Sequence, residues 1–336
     1  MAIVSADLRM LAAPLLPRCR FPDGDVVCAV SGGADSVALL LLAVAAGRVV
    51  TAVHVDHGLR VGSGAEASMV ASIAASVGAA FEARTVEIGR GSNLEARARV
   101  ARYRELPNDV CTGHTADDLA ETMVLNLIRG AGIDGLAAMA RPVPGGVQRP
   151  ILALRRSETV ALCAAAGVGV LSDPMNRDRQ FRRVRVREEV LPLLDDVAKR
   201  DVGAILARQA GLFADDAALL DVLAETVDPH DARALRAAPL PLARRAIRRW
   251  LVAGGVGDGH PVNRAVVQRV LQVADGTAES NDLLDGWRVA RTQQRLRLVS
   301  PPSPTVLRAK SQDMSQDMSQ DESQAMSQDA APPSHG

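Results

Sequence analysis

Early in the chain, short near-continuous apolar runs take turns with longer stretches whose apolar residues return every third or fourth position. The runs predict strands over Val26–Val30, Val49–Val55, Phe81–Val86 and Asp109–Thr112. The spaced stretches predict helices over residues 3–16, Asp35–Ala46, Ala65–Val77, Leu94–Leu106 and Asp117–Arg129. A helical face repeats every 3.6 residues, whereas a strand buried on both faces reads as one continuous run. This alternation predicts an α/β fold, a parallel sheet with helices on both faces, whose ligands sit beyond the carboxyl ends of its strands.

Further on the pattern changes. Asn126–Leu136 ends a helix in glycines, Arg149–Leu152 reads as an edge strand or turn, and a helix follows over Arg156–Ala166. Asp173-Pro174-Met175-Asn176 is a turn by composition. A helix over Val202–Leu223 leads away from the sheet to residues 228–299, a smaller unit that is mostly helical and hairpin-like over Leu283–Val299. From Ser300 a Pro-rich stretch passes into imperfect SQDM copies, too polar and repetitive to bury a core, so disorder is expected after about residue 305. The expected division is a catalytic domain over 1–200, a helical substrate domain over 201–300 and a tail over 301–336.

Charge sharpens this division. The 39 Lys and Arg balance 39 Asp and Glu, but Ser311–Gly336 holds five acids and no base, leaving 39 against 34 and a body of about +5. Arginines 177, 179, 182, 183, 185 and 187 crowd into eleven residues, for which an RNA backbone is the natural partner and a solvated face the alternative. Seven aromatic residues make a base-stacking platform a poor expectation. Cys19, Cys28, Cys111 and Cys163 form no CxxC pair or zinc spacing, and Cys28 and Cys111 read as buried reduced thiols. With no basic leader and no apolar run of membrane length, a cytoplasmic protein without a membrane partner is expected. The residues leave the oligomeric state open, a homodimer included.

The chemistry gathers at the expected strand ends. Ser31-Gly32-Gly33-Ala34-Asp35-Ser36 joins the first strand to a helix, so its amides, the helix dipole and two hydroxyls can cradle phosphate. A Walker loop would carry a lysine, but the only lysines are Lys199 and Lys310. His54 and Asp56, ending the second strand beside this loop, can face a nucleotide; a metal pair of His54 and His57 is disfavoured because residues three apart on a strand point opposite ways. Arg97, Arg99 and Arg102 fall on one predicted helix, either a solvated face or a phosphate contact. Thr115 and Asp118 have capping-box spacing, and His114, Asp118 and Glu121 at i, i+4 and i+7 can share a face that holds magnesium or a cationic amine.

The loop resembles the SGGxDS signature of the PP-loop ATP pyrophosphatases, whose fold is adenine nucleotide alpha hydrolase-like. In order, SGGADS, HVDHGLR, NLEARARVARY, GHTADDLAET, NLIRGAGIDGL, RPIL and DPMN followed by the arginines and EEVLPLL resemble the tRNA(Ile)-lysidine synthetase family from about Ala29 to Leu194. Met175 and Val184 depart from it, standing where the family commonly has Ser or Thr and Asn.

The resemblance implies ligation of free L-lysine to carbon 2 of the wobble cytidine in a tRNA(Ile) with a CAU anticodon. The cytidine O2 first attacks the α phosphate of ATP, releasing pyrophosphate; the lysine amine then displaces AMP. It also implies ATP and Mg2+ as cofactors. Ser31, Gly32, Gly33, Ala34, Asp35 and Ser36 would bind ATP with His54 and Asp56. Asp35, His114, Asp118 and Glu121 would be catalytic, with Asp35 and Asp118 on the metal. Arg99, Arg102, Arg183, Arg185 and Arg187 would grip RNA. A sulfur-inserting relative lacks support without a CxxC thiol pair. An amidating synthetase would not need the arginine cluster, and an RNA-binding module without turnover would not need His114, Asp118 and Glu121.

Overall fold

The computed structural model describes residues 5–56, 63–86, 97, 100, 101, 103–141, 145–171, 178–257 and 262–301. Contacts group the chain into two compact units, Met1–Ala217 and Ala218–Gly336.

In the first unit, β1 (Val26–Ala29), β2 (Val50–Asp56) and β3 (Ala80–Thr85) form a parallel sheet in that order, with Val26 opposite Val50 and Thr51 opposite Ala80. Alternate side chains enter two cores. Val26, Cys28, Val50 and Ala52 join one cluster, while Val27, Ala29, Val53 and Val55 join another with Tyr103, Leu106 and Val110. Both faces of the sheet are therefore covered at β1 and β2, and this is why those strands read as near-continuous apolar runs, whereas β3 is largely exposed.

Beyond β1 the sheet continues by single pairings, Cys28 with Cys111 and Cys111 with Gln148. The strand expected over Asp109–Thr112 is reduced to this bridge. A turn closed by the Val110 N–H on Pro107 O precedes it, and the Cys111 and Thr112 N–H groups donate to opposite neighbours, Val27 O at 2.8 Å and Gln148 O at 2.9 Å. All four cysteines are free and buried.

Among the described residues this unit also contains the helices α1 (Ser5–Ala12), α2 (Ala34–Ala45), α3 (Ser63–Ser76), α4 (Ala116–Ile128) and α5 (Arg156–Ala165). Helix α2 is apolar all round because it is enclosed all round, every side chain from Val37 to Ala43 being fully buried. Next come α6 (Arg182–Arg185), a π-helical turn over Val186–Val190 and α7 (Leu191–Ala198).

The long helix α8 (Val202–Glu225) was expected to belong to the second domain. Its Leu206, Ala210 and Phe213 instead pack with Leu119 and Met123 of α4, which carries the first unit past residue 200 to Ala217.

The second unit contains α9 (Ala232–Ala237), α10 (Leu240–Ala253) and α11 (Arg264–Asp275), followed by an antiparallel sheet of β4 (Ser280–Asp282), β5 (Arg288–Thr292) and β6 (Arg295–Val299). The expected hairpin is present with one further strand, β4, and all pack on a core including Ile247, Leu251, Val270 and Val289. Among the described residues no helix is long and apolar enough to cross a membrane. The expected tail disorder concerns residues that lie outside those described.

Candidate active site

The loop between β1 and α2 is built by its glycines and held by its serines. Gly32 has φ +91, a conformation that L side chains rarely adopt, and a β-carbon there would meet Leu171. Ser36 Oγ accepts from the Ser31 N–H at 3.1 Å and donates to Gly33 O at 2.8 Å. Its hydroxyl thus pins the turn and leaves the amides that open α2 available to an anion. His54, expected beside the nucleotide, is buried beneath the loop with Nδ1 2.8 Å from Val30 O. It shares the strand face of Ala52, which points into the α2 core, so its position suits support of the loop. Asp56 ends β2 and is half-buried.

A second motif closes on the first through a glycine. A β-carbon on Gly113 would lie 2.7 Å from Asp35 O and 2.9 Å from the Ser36 nitrogen, both backbone atoms. Only glycine allows this approach, which brings the first turn of α4 against that of α2. Thr115 starts α4, and its N–H and hydroxyl donate to Asp118 Oδ2 at 2.9 and 3.0 Å, as the capping-box spacing predicts. His114 precedes the helix, with Nδ1 2.8 Å from Thr112 Oγ1. Helical register therefore relates Asp118 to Glu121 only; the expected three-residue face is a two-residue one.

The carboxylates converge on Arg156, the first residue of α5. Its guanidinium reaches Asp35 at 3.2 Å, Asp118 at 3.0 Å and Glu121 at 3.2 Å. Thr159 donates its hydroxyl to the other oxygen of Asp35. Two residues expected to grip RNA also turn inward. Arg183 meets Glu121 at 2.7 Å and Asp118 at 3.2 Å, and Arg187 meets Glu121 at 2.6 Å. Three carboxylates and three guanidiniums thus form one network. Arg185 instead pairs with Glu189 at 2.9 Å on the surface. Arg99 and Arg102 lie outside the described residues, as does Met175. Val184 is buried, so that departure faces the interior.

The network sets its members apart electrostatically. Burial raises the Asp35 carboxyl above its ordinary value, against the opposing pull of Thr159 and Arg156. Burial also pushes Glu121 up, but the Arg187 hydrogen bond and the charges of Arg156 and Arg187 outweigh it and hold Glu121 below its ordinary value. Desolvation works against the Arg156 charge, yet Asp118, Glu121 and Asp35 together raise its pKa well above the ordinary arginine value.

Among the described residues no cluster of three or more His, Cys, Asp or Glu could hold a metal. Asp35 and Asp118 nevertheless share one cation, Arg156. They are hard oxygen donors of the kind Mg2+ takes one or two of, with phosphates and water completing its shell, so the donor set fits.

Sequence reasoning missed Arg156 and Thr159. The available signal was an arginine in the first turn of a helix, where the dipole disfavours a cation unless acids from elsewhere surround it.

Residues 5–194 match the family described as PP-loop domain. The tRNA(Ile)-lysidine synthase of Nocardia farcinica is 41% identical over 276 residues, covering 78% of this chain and 82% of that protein. The enzyme of the same name from Rhodococcus erythropolis is 42% identical over 283 residues, covering 80% and 82%. A solved tRNA thiolase, NcsA of Methanococcus maripaludis, is similar with a TM-score of 0.49 and 16% identity, over 62% of this chain and 79% of that one. With a domain match over more than half its length and relatives at this level of identity, the chain belongs to the tRNA(Ile)-lysidine synthase family of PP-loop proteins.

Proposed function

We infer that this chain joins free L-lysine to carbon 2 of the wobble cytidine of a tRNA(Ile) with a CAU anticodon. The reaction uses ATP and proceeds through an adenylated cytidine, releasing pyrophosphate and then AMP. The observation that carries this reading is the identity to tRNA(Ile)-lysidine synthases over most of both chains. The convergence of Asp35, Asp118 and Glu121 beside the glycine loop supports it.

In the first step the cytidine O2 attacks the α phosphate. The amides from Gly32 to Ser36 and the positive end of α2 hold the departing pyrophosphate, preorganised by the Ser31–Ser36 bonds. Asp35 and Asp118 would hold Mg2+, which neutralises charge on the phosphates when bound.

In the second step the lysine amine attacks carbon 2 and AMP leaves. Lysine arrives as an ammonium ion and must lose a proton before it attacks. Asp118 receives it, because the Asp118 side chain keeps 13% exposure whereas that of Glu121 is enclosed at 0%. Glu121 is a positioning residue that keeps Arg183 and Arg187 in place. A network already neutral has no room for another cation. Phosphates of ATP and RNA that draw guanidiniums toward themselves free Asp118 for the ammonium, which orders nucleotide and RNA ahead of lysine.

The test is incorporation of labelled lysine into tRNA bearing a CAU anticodon, with elongator methionine tRNA as control. ATP-dependent labelling of the isoleucine tRNA alone is the expected result. AMP release without labelling would direct the chemistry to another acceptor partner such as sulfide or ammonia.

A further inference from the structure

A cavity of about 800 Å³ lies on the other side of the first turns of α4 and α5 from the carboxylate network. Ala116 and Leu119 line it while Asp118 and Glu121, on the same helix, belong to the network; Arg155 lines it while Arg156 does not. No residue of the glycine loop reaches it. Its size is that of a small-ligand site.

Its chemistry is two-sided. Leu119, Met139, Pro150 and Leu152 give an apolar wall, and six arginines face one acid, Asp201. Several of these arginines are already neutralised: Arg18 by Glu158, Arg141 by Asp134, and Arg155 by Asp117 and Asp201. Arg20 is not neutralised by any described residue: among these its guanidinium donates only to the carbonyls of Pro17 and Cys19, at 2.8 and 3.0 Å. Exposed Arg208 on α8 makes no ion pair with a described residue. An apolar wall beside uncompensated guanidiniums suits a group with a flat apolar face and a phosphate.

We propose that this cavity is a second RNA subsite, which takes a single-stranded nucleotide of the tRNA other than the one being modified. Its base lies on the apolar wall and its phosphates meet Arg20 and Arg208. The proposal rests on the reading of tRNA as substrate. Because cavity and network are two sides of the same helix starts, occupancy here fixes the strand whose neighbouring nucleotide enters the reaction centre.

The test is retention of tRNA bearing a CAU anticodon on a filter across a salt series, which needs no turnover and so is independent of lysine being the acceptor. Arg20→Ala with Arg208→Ala is expected to weaken tRNA binding about tenfold and to lower the slope of log K against log salt by about 1.4 to 1.8, two phosphate contacts' worth. ATP KM and lysine KM stay at wild-type values. Ala204→Trp, which fills the cavity from an exposed position, is expected to weaken binding with the slope unchanged. Unchanged affinity and slope in the arginine variant would overturn the proposal. So would weakened inhibition by added pyrophosphate with tRNA binding intact, which would assign the cavity to a free phosphate.

Discussion

The glycine loop and the carboxylate network hold charge by opposite means. The loop is local: Ser31 and Ser36, five residues apart, close it, and what it offers a ligand is backbone amides. The network joins residues from Asp35 to Arg187 and relies on side chains from α2, α4, α5, α6 and the π turn. A local device with glycines at fixed positions tolerates little change and is rigid from the start. A device of six charged side chains can exchange partners, which suits the proposed succession of ATP, RNA and an ammonium ion.

Asp35 belongs to both, and its removal is expected to have the largest effect. Asp35→Ala should lower AMP formation by on the order of 10³-fold while tRNA retained on filters stays within about twofold. Retained turnover would remove Asp35 from the chemistry and leave the loop to act alone.

Glu121→Gln breaks the network at its most enclosed member. At neutral pH the loss is expected to be about 3 kcal/mol of unfolding free energy, near the low end for a buried pair because the three arginines keep roughly a third of their exposure. The folded-state pKa of Glu121 lies below its ordinary value of 4.5. Its contribution is therefore fully present above 4.5 and is lost as pH falls through the lower folded value. Urea unfolding should show the gap between wild type and variant narrowing at acid pH, and a constant gap would mean that charge is not what Glu121 supplies.

Arg156→Lys sharpens the comparison further. Lysine keeps the charge but not a planar fork able to meet three carboxylates. The variant should fold, retain ATP binding, and lose on the order of tenfold in kcat/KM for lysine. A loss in ATP binding alone would reassign Arg156 to the loop.

The smallest effect is expected at Arg185, whose partner Glu189 is one turn away on the surface. Arg185→Ala should leave stability and kcat unchanged and reduce the salt slope of tRNA binding by about 0.7 to 0.9 if the side chain meets a phosphate. An unchanged slope would place RNA contact elsewhere on the chain.

The same contrast explains what was legible in the sequence. Strand and helix order, the loop and the Thr115–Asp118 cap are set by residues within a few positions of each other, and patterns at that range reveal them. The sheet continuation at Cys111 is foreseen as a strand and survives as a single pairing on each side, because a turn at Pro107–Val110 closes immediately before it. The carboxylate contacts of Arg183 and Arg187 are not foreseen, since the sequence reveals their charge and not the carboxylates 62 and 66 residues away. Arg156 was passed over for the same reason, as its partner Asp35 lies 121 residues before it. Gly113 stood in view within its motif, yet its need for a bare backbone becomes visible only when Asp35 O is placed beside it.

In the proposed order, ATP activates the RNA base before lysine takes part. The decisive measurement is incubation of the enzyme with ATP labelled on the α phosphate and tRNA bearing a CAU anticodon, without lysine. Label is expected on the tRNA, to be released as AMP when lysine is added. Pyrophosphate release that requires lysine but not tRNA would mean the amino acid is the group activated, and would contradict it.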